Sequence, residues 1–337
     1  MLPVLLIGAS VAVSLDIDSV RQPELAASGR LDLRFRCLQS HIEPAIHEAY
    51  TTNYTGLGWS AALVQPLISN LTGCLDLSMS ELYGVSSLFT PLTIALTATC
   101  AYTSDPSRPW EPARSLSPLR TLDFEGSLLE ADGAAALEPI IQACPSVEVI
   151  HLPNNSLSDV GARAIASALF SPPHAGCRRL DLNDNLIGDY GADGLARLLT
   201  LPAPPLLPVP LAELWLQRNR IGTHGFVLLA DSLRDNVLLH TLMLSGNPGG
   251  DEGVSAIAHA MAHRAAGRDC IMRRLYLSST SITDVGATAL LNALRMPNSP
   301  PIETLLLDGN PAVSPSLLAD IAAAVEIQSA NAPPLSE

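Results

Sequence analysis

One pattern recurs down this chain and limits what it can fold into. In its clearest copy, Arg179 to Leu199, the residues Leu180, Leu182, Asn185 and Ile187 fall in the order L-x-L-x-x-N-x-I. Asp189 and Gly191 follow, then Leu195, Leu198 and Leu199 at helical spacing. Period 2 at the start predicts a short strand, and the later spacing predicts a helix on its heels. A strand and a helix written in about twenty residues cannot bury their Leu face alone, so neighbouring copies must stack on one another.

Seven such units are readable. Their Asn-position residues are Ser127, Asn155, Asn185, Asn219, Asn247, Thr280 and Asn310. Ahead of each lies an apolar pair expected to turn inward: Leu122 and Phe124, Ile150 and Leu152, Leu180 and Leu182, Leu214 and Leu216, Leu242 and Leu244, Leu275 and Leu277, Leu305 and Leu307. Six residues beyond the Asn position stands Gly133, Gly161, Gly191, Gly225, Gly253 or Gly286, replaced in the last unit by Ser316. Asp159, Asp189, Asp251 and Asp284 precede that Gly by two, where a short acceptor is expected to cap the helix it opens. Extra residues fall between helix end and next strand, at Ser171 to Gly176, Leu201 to Pro210, Arg264 to Ile271 and Met296 to Pro301. In a stack these junctions share one rim.

An eighth, weaker unit is expected at Leu75, Leu77, Ser80 and Leu82, with its helix near Val85 to Thr99. Between it and the seven lies a Pro-rich insertion, about residues 102–118, whose Pro106, Pro109, Pro112 and Pro118 discourage helix and internal pairing. Residues 1–72 are expected to form degenerate opening repeats or a cap, with strands at Ser14 to Ile17 and Arg30 to Leu33 and a helix at Gly58 to Leu71. Residues 73–327 make the array, and residues 328–337 a flexible tail.

The units NSLSDVGARAIASAL, NLIGDYGADGLARLL, NPGGDEGVSAIAHAM and TSITDVGATALLNAL resemble leucine-rich repeats of the ribonuclease-inhibitor type. That repeat class is shared by the ribonuclease inhibitor, NOD-like receptors and the Ran GTPase-activating protein. The resemblance implies an α/β horseshoe solenoid, with a parallel sheet on the concave face and helices on the convex face. It implies little about function, because the repeat serves many partners.

Composition narrows the partner. The chain has 337 residues, 19 cations against 33 acids, and a formal net charge of -14, a balance that repels phosphate backbones and favours a basic protein. All 19 cations are Arg, so Schiff-base chemistry and a phosphate-binding Lys are excluded. The six Cys are dispersed without a C-x-x-C pair and read as small buried hydrophobes in a reducing compartment, hence a cytoplasmic protein. Met1 to Leu15 leaves an alternative: it has the length and apolarity of a secretory or organellar targeting core without a cationic start, or it is a buried strand. It is too short to span a membrane. Sequons at Asn53, Asn70 and Asn154 do not decide between these.

No constellation for catalysis, cofactor or metal emerges. His259 and His263 stand at i, i+4 but lack the Glu of H-E-x-x-H and a third ligand, so the outer face of a helix explains them. GNPGG, Gly246 to Gly250, lacks Gly-Lys-Ser/Thr and is a turn. The residues projecting from the concave sheet run Asp76, Asp123, His151, Asp181, Trp215, Met243, Tyr276 and Leu306, polar first and then apolar. At about 4.8 Å per strand the last four form a stripe about 15 Å long. An exposed Trp-Met-Tyr-Leu stripe bordered by Arg179, Asp181, Glu213 and Arg274 is what a protein-binding hot spot needs. The expected function is a non-catalytic protein-interaction module or scaffold. The alternatives are a small-GTPase activator resembling the Ran-specific one, and a structural subunit of a ciliary or cytoskeletal assembly.

Overall fold

The computed structural model describes residues 120–330, apart from 128, 145, 171–175, 201–208, 263–270 and 298, and the backbone of five short strands before residue 120. Those five are β1 (Leu31–Leu33), β2 (Tyr50–Thr52), β3 (Asp76–Ser78), β4 (Tyr102–Thr103) and β5 (Arg114–Ser115). Strands and helices then alternate without exception: β6 (Thr121–Asp123), α1 (Glu130–Ala143), β7 (Val149–His151), α2 (Ser158–Phe170), β8 (Arg179–Asp181), α3 (Asp189–Leu199), β9 (Glu213–Trp215), α4 (Thr223–Leu233), β10 (Thr241–Met243), α5 (Gly250–Ala262), β11 (Arg274–Tyr276), α6 (Asp284–Leu294), β12 (Thr304–Leu306) and α7 (Pro315–Ala330). Strands β3 and β6 to β12 form one parallel sheet in chain order, and each helix packs on its sequence neighbours in a second layer. The molecule is the expected α/β solenoid.

Burial follows the sequence pattern. The paired apolar residues of β6 to β11 are 0 to 1% exposed, and only the last pair, at the end of the described stack, loosens. Every Asn-position residue is buried, and the Asn side chains wire each unit to the one before it. Asn185 is representative: its Oδ1 accepts from the backbone N–H groups of Asn155 and Leu157, and its Nδ2 donates to the carbonyls of Leu152 and Asn183. The conserved geometry of these turns lets three-residue strands end without stranding their backbone groups.

The Asp residues cap helices, but not their own. Asp159 Oδ1 accepts from Gly188 N (2.6 Å) and Gly191 N (2.9 Å), at the start of α3 in the following unit. Asp189 does the same for Gly222 and Gly225, Asp251 for Thr283 and Gly286, and Asp284 for Ser314. The expected local cap is therefore an inter-unit staple, because an Asp in the first helical turn points across to the next helix rather than back along its own. The Gly beside it makes room: a Cβ on Gly191 would stand 2.6 Å from Ile187 Cγ2 and 2.8 Å from Asp159 Oδ1.

The end of the described stack carries its own mark. Ten residues beyond the Asn position, six helices bury Leu137, Ile165, Leu195, Leu229, Ile257 and Leu290, whereas α7 exposes Asp320 there. A polar residue at that position is how a repeat array meets water.

Four expectations near the chain's beginning and at its cysteines change. Strand β3 pairs Leu77 with Leu122 and Ser78 with Asp123, so the first unit sits two residues later than its Leu75-x-Leu77 pattern suggests. Alternation of period 2 is satisfied equally by a shift of two, which is why the pattern alone misplaces it. β1 pairs antiparallel with β2, unlike the parallel pairing of stacked units. Strands β4 and β5 pair antiparallel between Tyr102–Thr103 and Arg114–Ser115, so the Pro-rich stretch is closed by a short ladder whose residues avoid all four Pro. Cys144 is disulfide-bonded, while Cys177 is a buried free thiol that burial pushes up to about 12. The expectation of free cysteines, and the cytoplasmic reading drawn from it, loses Cys144 as support. The expected strand at Ser14 to Ile17, the helices at Gly58 to Leu71 and Val85 to Thr99, and most of the rim junctions lie outside the described residues.

Candidate partner-binding face

The concave face is read across the sheet, one residue per strand. The pairings place Asp123 opposite His151, His151 opposite Asp181, Asp181 opposite Trp215, Trp215 opposite Met243, Met243 opposite Tyr276 and Tyr276 opposite Leu306. The expected row is present with Ser78 rather than Asp76 at its start. Trp215, Met243 and Tyr276 are half-buried and Leu306 is 38% exposed, so four consecutive strands offer apolar surface on the side away from the core. This surface exists because the middle residue of each three-residue strand, such as Leu214, Leu242 or Leu275, turns into the core and leaves the residue after it on the opposite side.

The border residues differ from one another. Arg179 Nε and Nη2 hold both carboxylate oxygens of Glu213 at 2.7 and 3.2 Å, and the Arg179 guanidinium lies 5.1 Å from the centre of the Trp215 ring. Arg179, Glu213 and Trp215 are thus one unit that spans β8 and β9, and its planar fork is fixed before any partner arrives. Arg274 is half-buried on β11 beside Tyr276. Trp215 Nε1 is buried and has no acceptor among the described residues.

Asp181 is not an exposed border residue. It is 1% exposed, with Oδ2 2.9 Å from His151 Nδ1 and Oδ1 accepting from Asn183 N at 3.0 Å. Asn183 is buried too, its Oδ1 accepting from Gln217 N at 2.7 Å. Asp181 stands between His151 and Trp215 in register, a neighbourhood that the pattern within one strand does not reveal. Burial by itself lowers the pKa of His151. The Asp181 hydrogen bond and the charges of Asp181, Asp123 and Glu125 outweigh it, and the imidazole titrates above its ordinary 6.5.

A second apolar patch escapes the strand pattern. Val160 (63% exposed), Tyr190 (61%) and Leu186 (42%) lie at the loop and helix starts of adjacent units, with the Arg163 guanidinium 4.1 Å over the Tyr190 ring. The sequence signal of Val160 and Tyr190 is an apolar residue between the Asp and the Gly of a unit, repeated at Val285 but replaced by Glu252 after Asp251, a position that reads as helix interior. His259 is exposed on α5, and His263 lies outside the described residues. Among the described residues no group of three or more His, Cys, Asp or Glu is placed to hold a metal, and no helix is long and apolar enough to cross a membrane.

Comparison with known proteins bears on the repeats themselves. A family profile described as Leucine Rich repeat matches residues 143–166, 235–258 and 270–291. The ribonuclease inhibitor of Mus musculus is 25% identical over 176 residues, covering 52% of this chain and 30% of its own length. That of Sus scrofa is 26% identical over 192 residues, covering 49% of this chain and 40% of its own. The chain therefore spans well under half the length of these relatives. Among solved structures, the yeast Rad7 and Elc1 complex aligns with 79% of this chain and 81% of its own at 14% identity and a TM-score of 0.40. A Pollen Receptor Kinase 3 aligns with 66% and 95%, at 17% identity and a TM-score of 0.34.

Proposed function

We propose that this chain, a leucine-rich-repeat solenoid whose repeats are similar to those of ribonuclease inhibitors, is a non-catalytic module binding a protein partner through the concave sheet. The observation that carries the reading is the in-register stripe of Trp215, Met243, Tyr276 and Leu306 on the face opposite the core. A flat apolar strip holding a Trp and a Tyr, with a preformed Arg179–Glu213 pair at one edge, has the composition of an interface centre with a polar border. The partner is a protein with a basic surface, since a net charge of -14 steers cationic molecules inward and repels nucleic acid and anionic membranes.

No described residue favours the GTPase-activator or assembly-subunit alternative. Replacing Trp215 and Tyr276 with Ser in the full chain tests the proposal. Capture of partners from lysate, followed by crosslinking and mass spectrometry, is expected to fall at least about tenfold, the loss of about 1.4 kcal/mol. Unchanged capture by a folded double variant overturns it.

A further inference from the structure

Trp215 is the largest side chain of the proposed face, and its Nε1–H is buried without an acceptor among the described residues. A buried indole N–H ordinarily finds a partner. The strand pairing sets Asp181 directly beside Trp215 on the neighbouring strand, and the Arg179 guanidinium, bonded to Glu213, lies 5.1 Å from the indole centre. On its other flank the same carboxylate is held by His151, with Oδ2 2.9 Å from Nδ1. One buried acceptor thus lies between a titratable donor and a donor that has nothing to bond.

We propose that Asp181 is a two-position acceptor, held by His151 when the imidazole is protonated and turned to the Trp215 indole N–H when it is neutral. A protonated imidazole makes a charge-assisted bond to the carboxylate, and loss of that charge leaves two neutral donors competing for it. The exchange concerns Oδ2, since Oδ1 accepts from Asn183 N at 3.0 Å. The charged groups acting on His151 are Asp181 on β8, and Asp123 and Glu125 at and just beyond β6. Those around Trp215 are Arg179 and Glu213, which are bonded to each other. Making and breaking that bond changes how firmly the anchor of the apolar stripe is held, so the face that meets a partner differs on the two sides of the His151 titration. That consequence rests on the proposed reading of the concave face, whereas the exchange of acceptor does not.

The experiment needs no partner and so separates the two. In the full-length chain labelled with nitrogen-15, the Trp215 indole N–H resonance is assigned by its loss in Trp215→Phe, which distinguishes it from Trp59 and Trp110. It is then followed from about pH 5 to about pH 9 alongside the His151 ring protons. The indole signal is expected to move downfield with the same midpoint as His151. In Asp181→Asn, which keeps an oxygen for Asn183 N, the movement is expected to vanish. In His151→Phe the signal is expected downfield at every pH. A wild-type signal that stays in place, or one that titrates equally in either variant, overturns the proposal.

Discussion

Replacing Asn185 with Ala should cost about 3–5 kcal/mol, an exceptional loss for one exchange of a polar side chain. The figure follows from its four hydrogen bonds. Asn155 N and Leu157 N lose the acceptor they now reach at 3.0 and 3.3 Å, and Leu152 O loses a donor at 2.7 Å. Asn183 O is spared, because it also accepts from Asn154 N at 2.9 Å. Three buried groups at about 1–3 kcal/mol each set an upper bound near 9, and partial relaxation of the turn brings it down. The chain supplies its own control at Thr280, whose Oγ1 makes one such bond, to Leu277 O at 2.7 Å. Thr280→Ala should therefore cost only about 1 kcal/mol. Urea unfolding followed by far-ultraviolet circular dichroism measures both, with the slope checked because a stacked array can unfold in parts. If Asn185→Ala costs no more than Thr280→Ala at an unchanged slope, the Asn ladder does not hold the units together as described.

Three further outcomes are expected. Gly191→Ala should destabilise by about 1–3 kcal/mol in thermal unfolding, since its Cβ would press on Ile187 and Asp159 at the α3 start; a neutral result would mean the staple can shift. Asp251→Ala should cost about 0.5–2 kcal/mol, the range for a lost helix cap, and should raise the amide exchange rates of Thr283 and Gly286 while leaving those of its own helix α5 unchanged. For Asp251, burial alone raises the pKa, but the Thr283 N–H and hydroxyl and the Gly286 N–H outweigh it. Its contribution is then present above about pH 3.8 and lost as pH falls through the lowered value. His151 runs the other way: its folded-state pKa lies above 6.5, so its stabilisation is complete below that value and is lost as pH rises through the folded one. Melting temperatures of wild type and His151→Gln across this range should converge at high pH, and parallel curves would refute the linkage.

What the sequence discloses and what it hides divide along one physical line. The Leu pairs, the Asn positions and the Gly of each unit are legible because their jobs are local: period 2 and period 3.6 are written in consecutive residues, and the register of β6 to β12 follows from them. The apolar middle row is legible for the same reason. Asp159 is legible as a helix cap but not as the cap of the next unit, because its partners Gly188 and Gly191 lie about thirty residues away and only stacking brings them near. Asp181 fails likewise: strand alternation gives its face, but its bond to His151 and its burial arise between strands. Asp320 is the instructive opposite. Its meaning requires only that the six preceding units be aligned, when one Asp appears in a column of Leu and Ile and marks where the described stack turns to water. Comparing a column down the units, rather than residues along one unit, is thus the operation that recovers inter-unit contacts from a repeat sequence. For Asp181 the column shows one acid between a His and a Trp, and its burial follows only once the side chains are placed.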